Sequence, residues 1–91
     1  MSVLPFDQTQ VKENIFVRKF SKYVDSEDLV WHRDHRDRTV EVLSGKGWSI
    51  QLDNKVPQTL TEGSIFFIKS GEYHRLIKGD SNLIIKISER K

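Results

Sequence analysis

The sequence predicts an all-β domain, a sandwich or small barrel of about eight strands. Short runs of β-branched and aromatic residues recur at the spacing typical of such folds, and glycines lie between several of the runs. No stretch of helical length shows a 3.6-residue apolar period, so helices are not expected to build the core. Because the chain has 91 residues, we expect a single domain over residues 1–91 with one thin core.

The predicted strands follow the order of these runs. The first two are rich in aromatic and β-branched side chains. The next two alternate polar and apolar residues around a turn with Gly45 and Gly47, which are both free to adopt a positive φ. Pro57 confines the fifth to a sheet edge, whereas residues 64–68 are apolar on both faces, as in a buried strand. The candidate strands are residues 15–20, 29–34, 39–43, 48–53, 56–60, 64–68, 73–78 and 83–87.

The apolar residues also predict the interior and the assembly. Residues 1–12 are expected to form a loose N-terminal arm, or to add a strand to a neighbour. Residues 64–68, with Phe16 and Phe20, carry more apolar surface than one thin barrel hides, which predicts a homodimer. The side chains expected inside the barrel are Val40, Val42, Ile65, Phe67, Leu76 and Ile85.

Composition excludes several classes of protein. Lys and Arg total 15 against 13 Asp and Glu, and a net charge of +2 gives no general field for nucleic acid or an anionic membrane. The absence of cysteine excludes a disulfide framework, a thiolate nucleophile and Cys-ligated zinc. No apolar run approaches the roughly 20 residues of a membrane span, and residues 1–10 lack the pattern of a secretory signal. We therefore expect a cytoplasmic protein without nucleic-acid or membrane partners.

Two polar segments carry the candidate chemistry. Residues 32–38 are seven consecutive polar residues, and His32 and Asp34 project to the same side if this segment is a strand. Residues 63–74 comprise a glycine turn, an apolar strand, a second glycine turn and then His74. No segment resembles a nucleophile constellation, a P-loop or a dinucleotide fingerprint.

The second segment resembles the second conserved motif of the cupin superfamily. The match consists of Gly63, residues 69–71 and His74, although Lys69 replaces the usual proline and Lys78 the usual asparagine. Residues 32–45 resemble the first cupin motif more loosely: the His-x-His pair is His32-x-Asp34 here, with His35 as a spare, and Arg38 stands where a metal-binding Glu is usual. Residues 31–87 are also similar to small cupin-like proteins of marine T4-like phages.

The resemblance implies a double-stranded β-helix, or jelly-roll barrel, often dimeric, with a metal or ligand in its mouth. In such a barrel His32, Asp34 and His74 point inward on neighbouring strands. This trio has the composition of a 2-His-1-carboxylate triad for iron or manganese and equally suits zinc or nickel. The cation Arg38 is expected to weaken a metal unless Asp37 or a bound anion offsets it.

A simpler interpretation stands beside this one. Residues 32–38 can form a solvated, salt-bridged strand end, with His35 at the surface. His74 can be a core histidine whose ring is satisfied by Asp34 or Gln51.

Arginine placement indicates the type of ligand. Three of the six arginines lie within residues 32–38, and Arg75 directly follows His74. Guanidinium groups bind carboxylate or phosphate through paired hydrogen bonds, so we expect a small anionic molecule. Its expected binding residues are Arg38, Gln51, Tyr73 and Arg75. Two functions remain open: a small metal-dependent enzyme of oxygenase, lyase or isomerase type, or a non-catalytic ligand-binding or interaction module without metal.

Overall fold

Two antiparallel sheets make up the protein in a computed structural model, which describes residues 4–90. One sheet has five strands in the order β1-β2-β8-β3-β6, and the other has three in the order β5-β4-β7. This arrangement of eight strands confirms the predicted jelly-roll class. Among residues 4–90 no helix is long and apolar enough to cross a membrane. The strands are β1 Asp7–Lys12, β2 Ile15–Phe20, β3 Arg38–Ser44, β4 Ser49–Leu52, β5 Gln58–Thr59, β6 Ile65–Ile68, β7 His74–Ile77 and β8 Leu83–Glu89.

The core lies between the sheets and confirms part of the expected interior. Val40, Val42 and Ile85 are buried, and Leu76 packs against them partly buried. The prediction is wrong for Ile65 and Phe67, whose exposed fractions are 65% and 47%. Because both faces of this strand are apolar, its sequence does not show which face points to the core. In β6, residues 66 and 68 point inward.

The predicted strand at residues 29–34 is absent. A short 3₁₀-helix, Ser26–Asp28, precedes this segment, because the side chain of Asp25 accepts a hydrogen bond from the Glu27 amide (3.0 Å) and favours a turn. Beyond it, the segment forms a backbone bridge to β7 only at His32. The His32 and His74 amides each donate to the other residue's carbonyl at 2.9 Å, so the backbone is extended only locally there.

The N-terminal residues also depart from expectation. Instead of a loose arm, residues 7–12 form β1, which pairs with β2 in the same chain. Asn14, at a φ of 64°, makes the intervening turn possible, because asparagine tolerates the left-handed region. All side chains of β1 are exposed, as suits a polar edge strand, and residues 1–3 lie outside the described part of the chain.

Candidate metal centre

His74, the first residue of β7, is buried with an exposed fraction of 4%. Its Nδ1 lies 2.8 Å from the Glu72 carbonyl oxygen. A carbonyl oxygen only accepts, so Nδ1 carries the proton and donates it. Burial lowers the pKa of His74 below 6.5, and the nearby His32 and Arg38 lower it further, against opposing effects of Glu72 and Asp34. The neutral ring therefore presents an unprotonated Nε2.

His32 is held in the same tautomer by a backbone carbonyl of its own segment. Its Nδ1 donates to the Val30 carbonyl at 3.0 Å, which leaves Nε2 without a proton in the neutral ring. The His32 and His74 ring centroids are 4.3 Å apart at an interplanar angle of 58°. The backbone bridge between the two residues thus brings both Nε2 atoms to one place.

Asp34 completes the cluster. Its Oδ2 lies 3.4 Å from His74 Nε2, and its Oδ1 lies 3.9 Å from His32 Nε2. Oδ2 is buried without a hydrogen-bond partner among residues 4–90, because the histidine nitrogen facing it has no proton to give. One donor atom from each of the three residues falls within 4.8 Å of the others. A buried carboxylate oxygen facing an unprotonated imidazole nitrogen matches a divalent cation well.

Arg38 stands beside this cluster, with its charge compensated. Its Nη1 lies 3.3 Å from Asp34 Oδ1, while Nη2 and Nε lie 2.7 and 2.9 Å from Glu89 Oε2. Glu89, on β8, is therefore the offsetting anion rather than Asp37. The carboxylate of Asp37 instead accepts the Ser70 amide at 2.8 Å.

The polar run at residues 32–38 is fixed against the turn that precedes β7. The Gly71 amide donates to the Asp34 carbonyl, and the Ser70 hydroxyl donates to the His35 carbonyl, both at 2.8 Å. The side chain of His35 is exposed, outside the cluster, as the simpler interpretation expected. The run is thus not a free, solvated strand end.

A cavity of about 300 Å³ opens from the cluster between the two sheets. His32, Asp34 and His74 line this cavity, and most of its wall is apolar. Of the four residues expected to bind a ligand, Arg38 also lines it. A ligand in the cavity would therefore meet the three donor atoms and a mainly hydrophobic surface.

The other three expected ligand-binding residues lie outside the cavity. Arg75 pairs across the sheet with Gln51, and its Nε donates to Gln51 Oε1 at 3.0 Å. Tyr73 stacks on Trp31 at a centroid distance of 5.8 Å, and the Arg75 guanidinium lies 4.9 Å from the Trp31 ring. Tyr73 and Arg75 flank the inward-pointing His74 in sequence, so strand alternation turns them outward.

Arg18, which the sequence reasoning did not select, also lines the cavity. It pairs across the sheet with the buried Ile85, so both side chains point to the interior. One feature of the sequence could have identified Arg18: it lies two residues from both Phe16 and Phe20, which puts a charged residue on the apolar face of a strand.

A scan of known protein families finds no match, and no curated protein is significantly similar in sequence. Solved structures are similar in fold. A cupin domain from Bordetella pertussis Tohama I aligns over 100% of this chain and 99% of its own, with 18% identity and a TM-score of 0.68. A structure of the DMSP lyases RdDddP and RnDddQII has 18% identity and a TM-score of 0.72 over 85% of this chain and 37% of that one.

A third similar structure is the protein named FeII HppE, with 14% identity and a TM-score of 0.67 over 84% of this chain and 41% of its own. The chain therefore spans less than half the length of the lyase chain and of HppE. The two sheets of eight strands define a jelly-roll domain, and His32, Asp34 and His74 form a cluster in it that could hold a metal ion. More particularly, the chain has the cupin fold. The similarity to phage proteins stays a prediction.

Proposed function

We propose that the protein is a cupin-type metalloprotein that holds one divalent first-row metal ion at His32, Asp34 and His74. The observation that carries this proposal is Asp34 Oδ2, a buried oxygen that faces an unprotonated imidazole nitrogen and has no hydrogen-bond partner among residues 4–90. Two lone pairs that face one another in a buried site repel unless a cation or a proton lies between them.

Three protein donors leave coordination positions open toward the cavity, which suits a ligand-binding or catalytic site rather than a closed structural one. Two imidazoles and one carboxylate favour iron or manganese, and zinc or nickel also fits the donors. When bound, such an ion supplies Lewis-acid polarisation of a ligand oxygen or, in the case of iron, a centre for oxygen chemistry. Metal-dependent catalysis of oxygenase, lyase or isomerase type is therefore part of the proposal.

The remaining parts of the site hold these donors and shape the ligand space. The Glu72 and Val30 carbonyls fix the histidine tautomers, and Arg38 positions the Asp34 carboxylate while Glu89 balances its charge. The apolar cavity wall excludes water from a small anionic ligand. The similar structures of DMSP lyases support a lyase-type role, and that of FeII HppE supports a role that depends on iron. A cytoplasmic location, without nucleic-acid or membrane partners, completes the proposal.

One observation favours a second candidate, a non-catalytic ligand-binding module without metal. Arg38 already lies 3.3 Å from Asp34 Oδ1, so the carboxylate has a cationic neighbour before any metal binds. In that case the cavity would bind its ligand through Arg38 and the apolar wall alone.

Metal content separates the two candidates. Untagged protein is dialysed against a mixture of iron, manganese, zinc and nickel salts under reducing, anaerobic conditions, and the bound metal is measured by mass spectrometry. We expect about one ion per chain in the wild type and near-complete loss in His74→Ala. His35→Ala is the matched control, because this exposed histidine lies next to Asp34 in sequence but outside the cluster. Metal-free wild-type protein, or unchanged metal content in His74→Ala, would contradict the proposal.

A further inference from the structure

Arg18 is a cation in the cavity wall that forms no ion pair with any carboxylate of residues 4–90. Its Nε and Nη2 both donate to the neutral Gln8 Oε1, at 2.9 and 2.6 Å. Asp34 and Glu89 act on it only through their longer-range fields. The Nη1 donors have no partner among the described residues, so part of the guanidinium fork is free to bind a ligand.

The orientation of this guanidinium is fixed before any ligand arrives. Its central carbon lies 3.8 Å from the centroid of the Phe6 ring, and Phe6 lines the same cavity. Stacking on one face and two hydrogen bonds to Gln8 along one edge leave little freedom for the group to rotate. A preorganised donor loses less conformational entropy when a ligand binds.

The neighbouring charges distinguish Arg18 from Arg38. Arg38 is paired with both Asp34 and Glu89, and exposed Asp28, at the cavity rim, faces water. Burial, helped by the like charge of Arg38, lowers the pKa of Arg18 to about 10. Arg18 is still a cation at neutral pH, and a bound anion would relieve both effects.

We propose that Arg18 binds the carboxylate of a small, otherwise apolar carboxylic acid in the cavity beside the metal cluster. A single uncompensated guanidinium matches one negative charge, and its planar fork matches a carboxylate. The cavity of about 300 Å³ is at the small end for ligand sites, and its largely apolar wall accommodates a hydrocarbon body. The inference rests on the proposed function only in assigning the ligand to this shared cavity.

The test compares hexanoate with its neutral analogue hexanamide by isothermal titration calorimetry. Both are titrated into the full chain with manganese present and again after treatment with a chelator, so that anion binding by the metal is measured separately. In both forms we expect hexanoate to bind the wild type at least about tenfold more tightly, as for one charge-assisted hydrogen bond. Arg18→Gln should abolish this preference, whereas the control Arg36→Gln, at an exposed arginine, should retain it.

Each alternative outcome contradicts a definite part of the account. Equal binding of the two compounds by wild type, no binding of hexanoate, or a preference that survives in Arg18→Gln overturns the inference. The wild-type comparison stands even if Arg18→Gln does not fold. A preference seen only with manganese and kept in Arg18→Gln assigns the anion to the metal, which supports the proposed function alone. A preference in a protein that binds no metal leaves the inference standing and removes the proposed function.

Discussion

His74 Nε2 lies 3.4 Å from Asp34 Oδ2, and the proton of the His74 ring is committed elsewhere, to the Glu72 carbonyl. Both atoms are therefore acceptors, held together in a buried position. An arrangement of this kind costs stability unless a cation lies between the acceptors. We therefore expect the cluster to lower the stability of the metal-free protein, and this effect can be measured.

Asp34→Asn tests directly whether the two facing acceptors lower the stability of the metal-free protein. The amide nitrogen can donate to His74 Nε2, so the metal-free variant should be more stable than the wild type by about 1 kcal/mol. Metal affinity should fall by more than the roughly 10–100-fold that loss of an outer-shell partner costs. Urea unfolding with chelator and metal titration measure the two effects. Asp53→Asn, in an exposed turn, is the control and should change neither. A metal-free Asp34→Asn that is clearly less stable would contradict the lone-pair conflict.

Glu89→Gln tests how the Arg38 charge is balanced. Removing the carboxylate that lies 2.7 Å from Arg38 Nη2 leaves this cation beside the proposed metal position, with Asp34 as its only anionic contact among residues 4–90. Metal affinity should fall several-fold, because a less compensated positive charge repels the ion. Calorimetric titration of metal is the measurement, with Glu62→Gln, at an exposed residue, as control. An unchanged affinity would show that Glu89 does not offset Arg38.

Trp31→Ala tests how His32 is positioned. The Trp31 ring stacks on Tyr73, and the Arg75 guanidinium lies 4.9 Å from its centroid. We expect these contacts to hold the irregular segment that carries His32 against β7. Their loss should weaken metal binding about tenfold while the sheets remain folded, since the core residues are untouched. Metal titration and far-UV circular dichroism separate the two effects. Tyr23→Ala, which removes an exposed aromatic ring elsewhere, should have no effect. Full metal affinity in Trp31→Ala would exclude the positioning role.

The exposed apolar face of β6 gives the homodimer prediction a specific location. Ile65 and Phe67 point outward from an edge strand of the five-stranded sheet. Light scattering should show a dimer for the wild type at high micromolar concentration and a monomer for Phe67→Lys. Val56→Lys, at a more exposed apolar residue away from β6, should remain dimeric. A wild type that is monomeric throughout would refute the prediction.

Strand periodicity and glycine turns were enough to predict the all-β class, because they are local properties of the sequence, whereas the jelly-roll barrel was implied by the resemblance to the cupin motifs. The sequence also predicted that His32 and Asp34 lie together. The prediction assumed that residues 32–38 form a strand, and the structure brings them together in another way. The segment is not a strand, and the single backbone bridge between His32 and His74 makes it extended where the two-residue spacing matters.

The residues that line the cavity were less predictable. Neighbouring residues of an extended chain point to opposite sides, so Tyr73 and Arg75 point away from the side to which His74 points. Placing all three side chains in one pocket was therefore inconsistent with strand geometry. The sequence indicated Arg18 as a candidate only because it is a charged residue on the aromatic face of a strand. Its role depends on the distant pairing of β2 with β8, which sequence spacing does not reveal.

The central claim, a metal ion at the His-Asp-His cluster, is tested most directly by anomalous diffraction from crystals of untagged, metal-supplemented protein. Data are collected across the manganese, iron, nickel and zinc absorption edges. The account predicts one anomalous peak about 2.0–2.2 Å from Nε2 of His32, Nε2 of His74 and a carboxylate oxygen of Asp34. A well-ordered cluster without an anomalous peak, in which the three side chains hydrogen-bond to one another or to water, would contradict it.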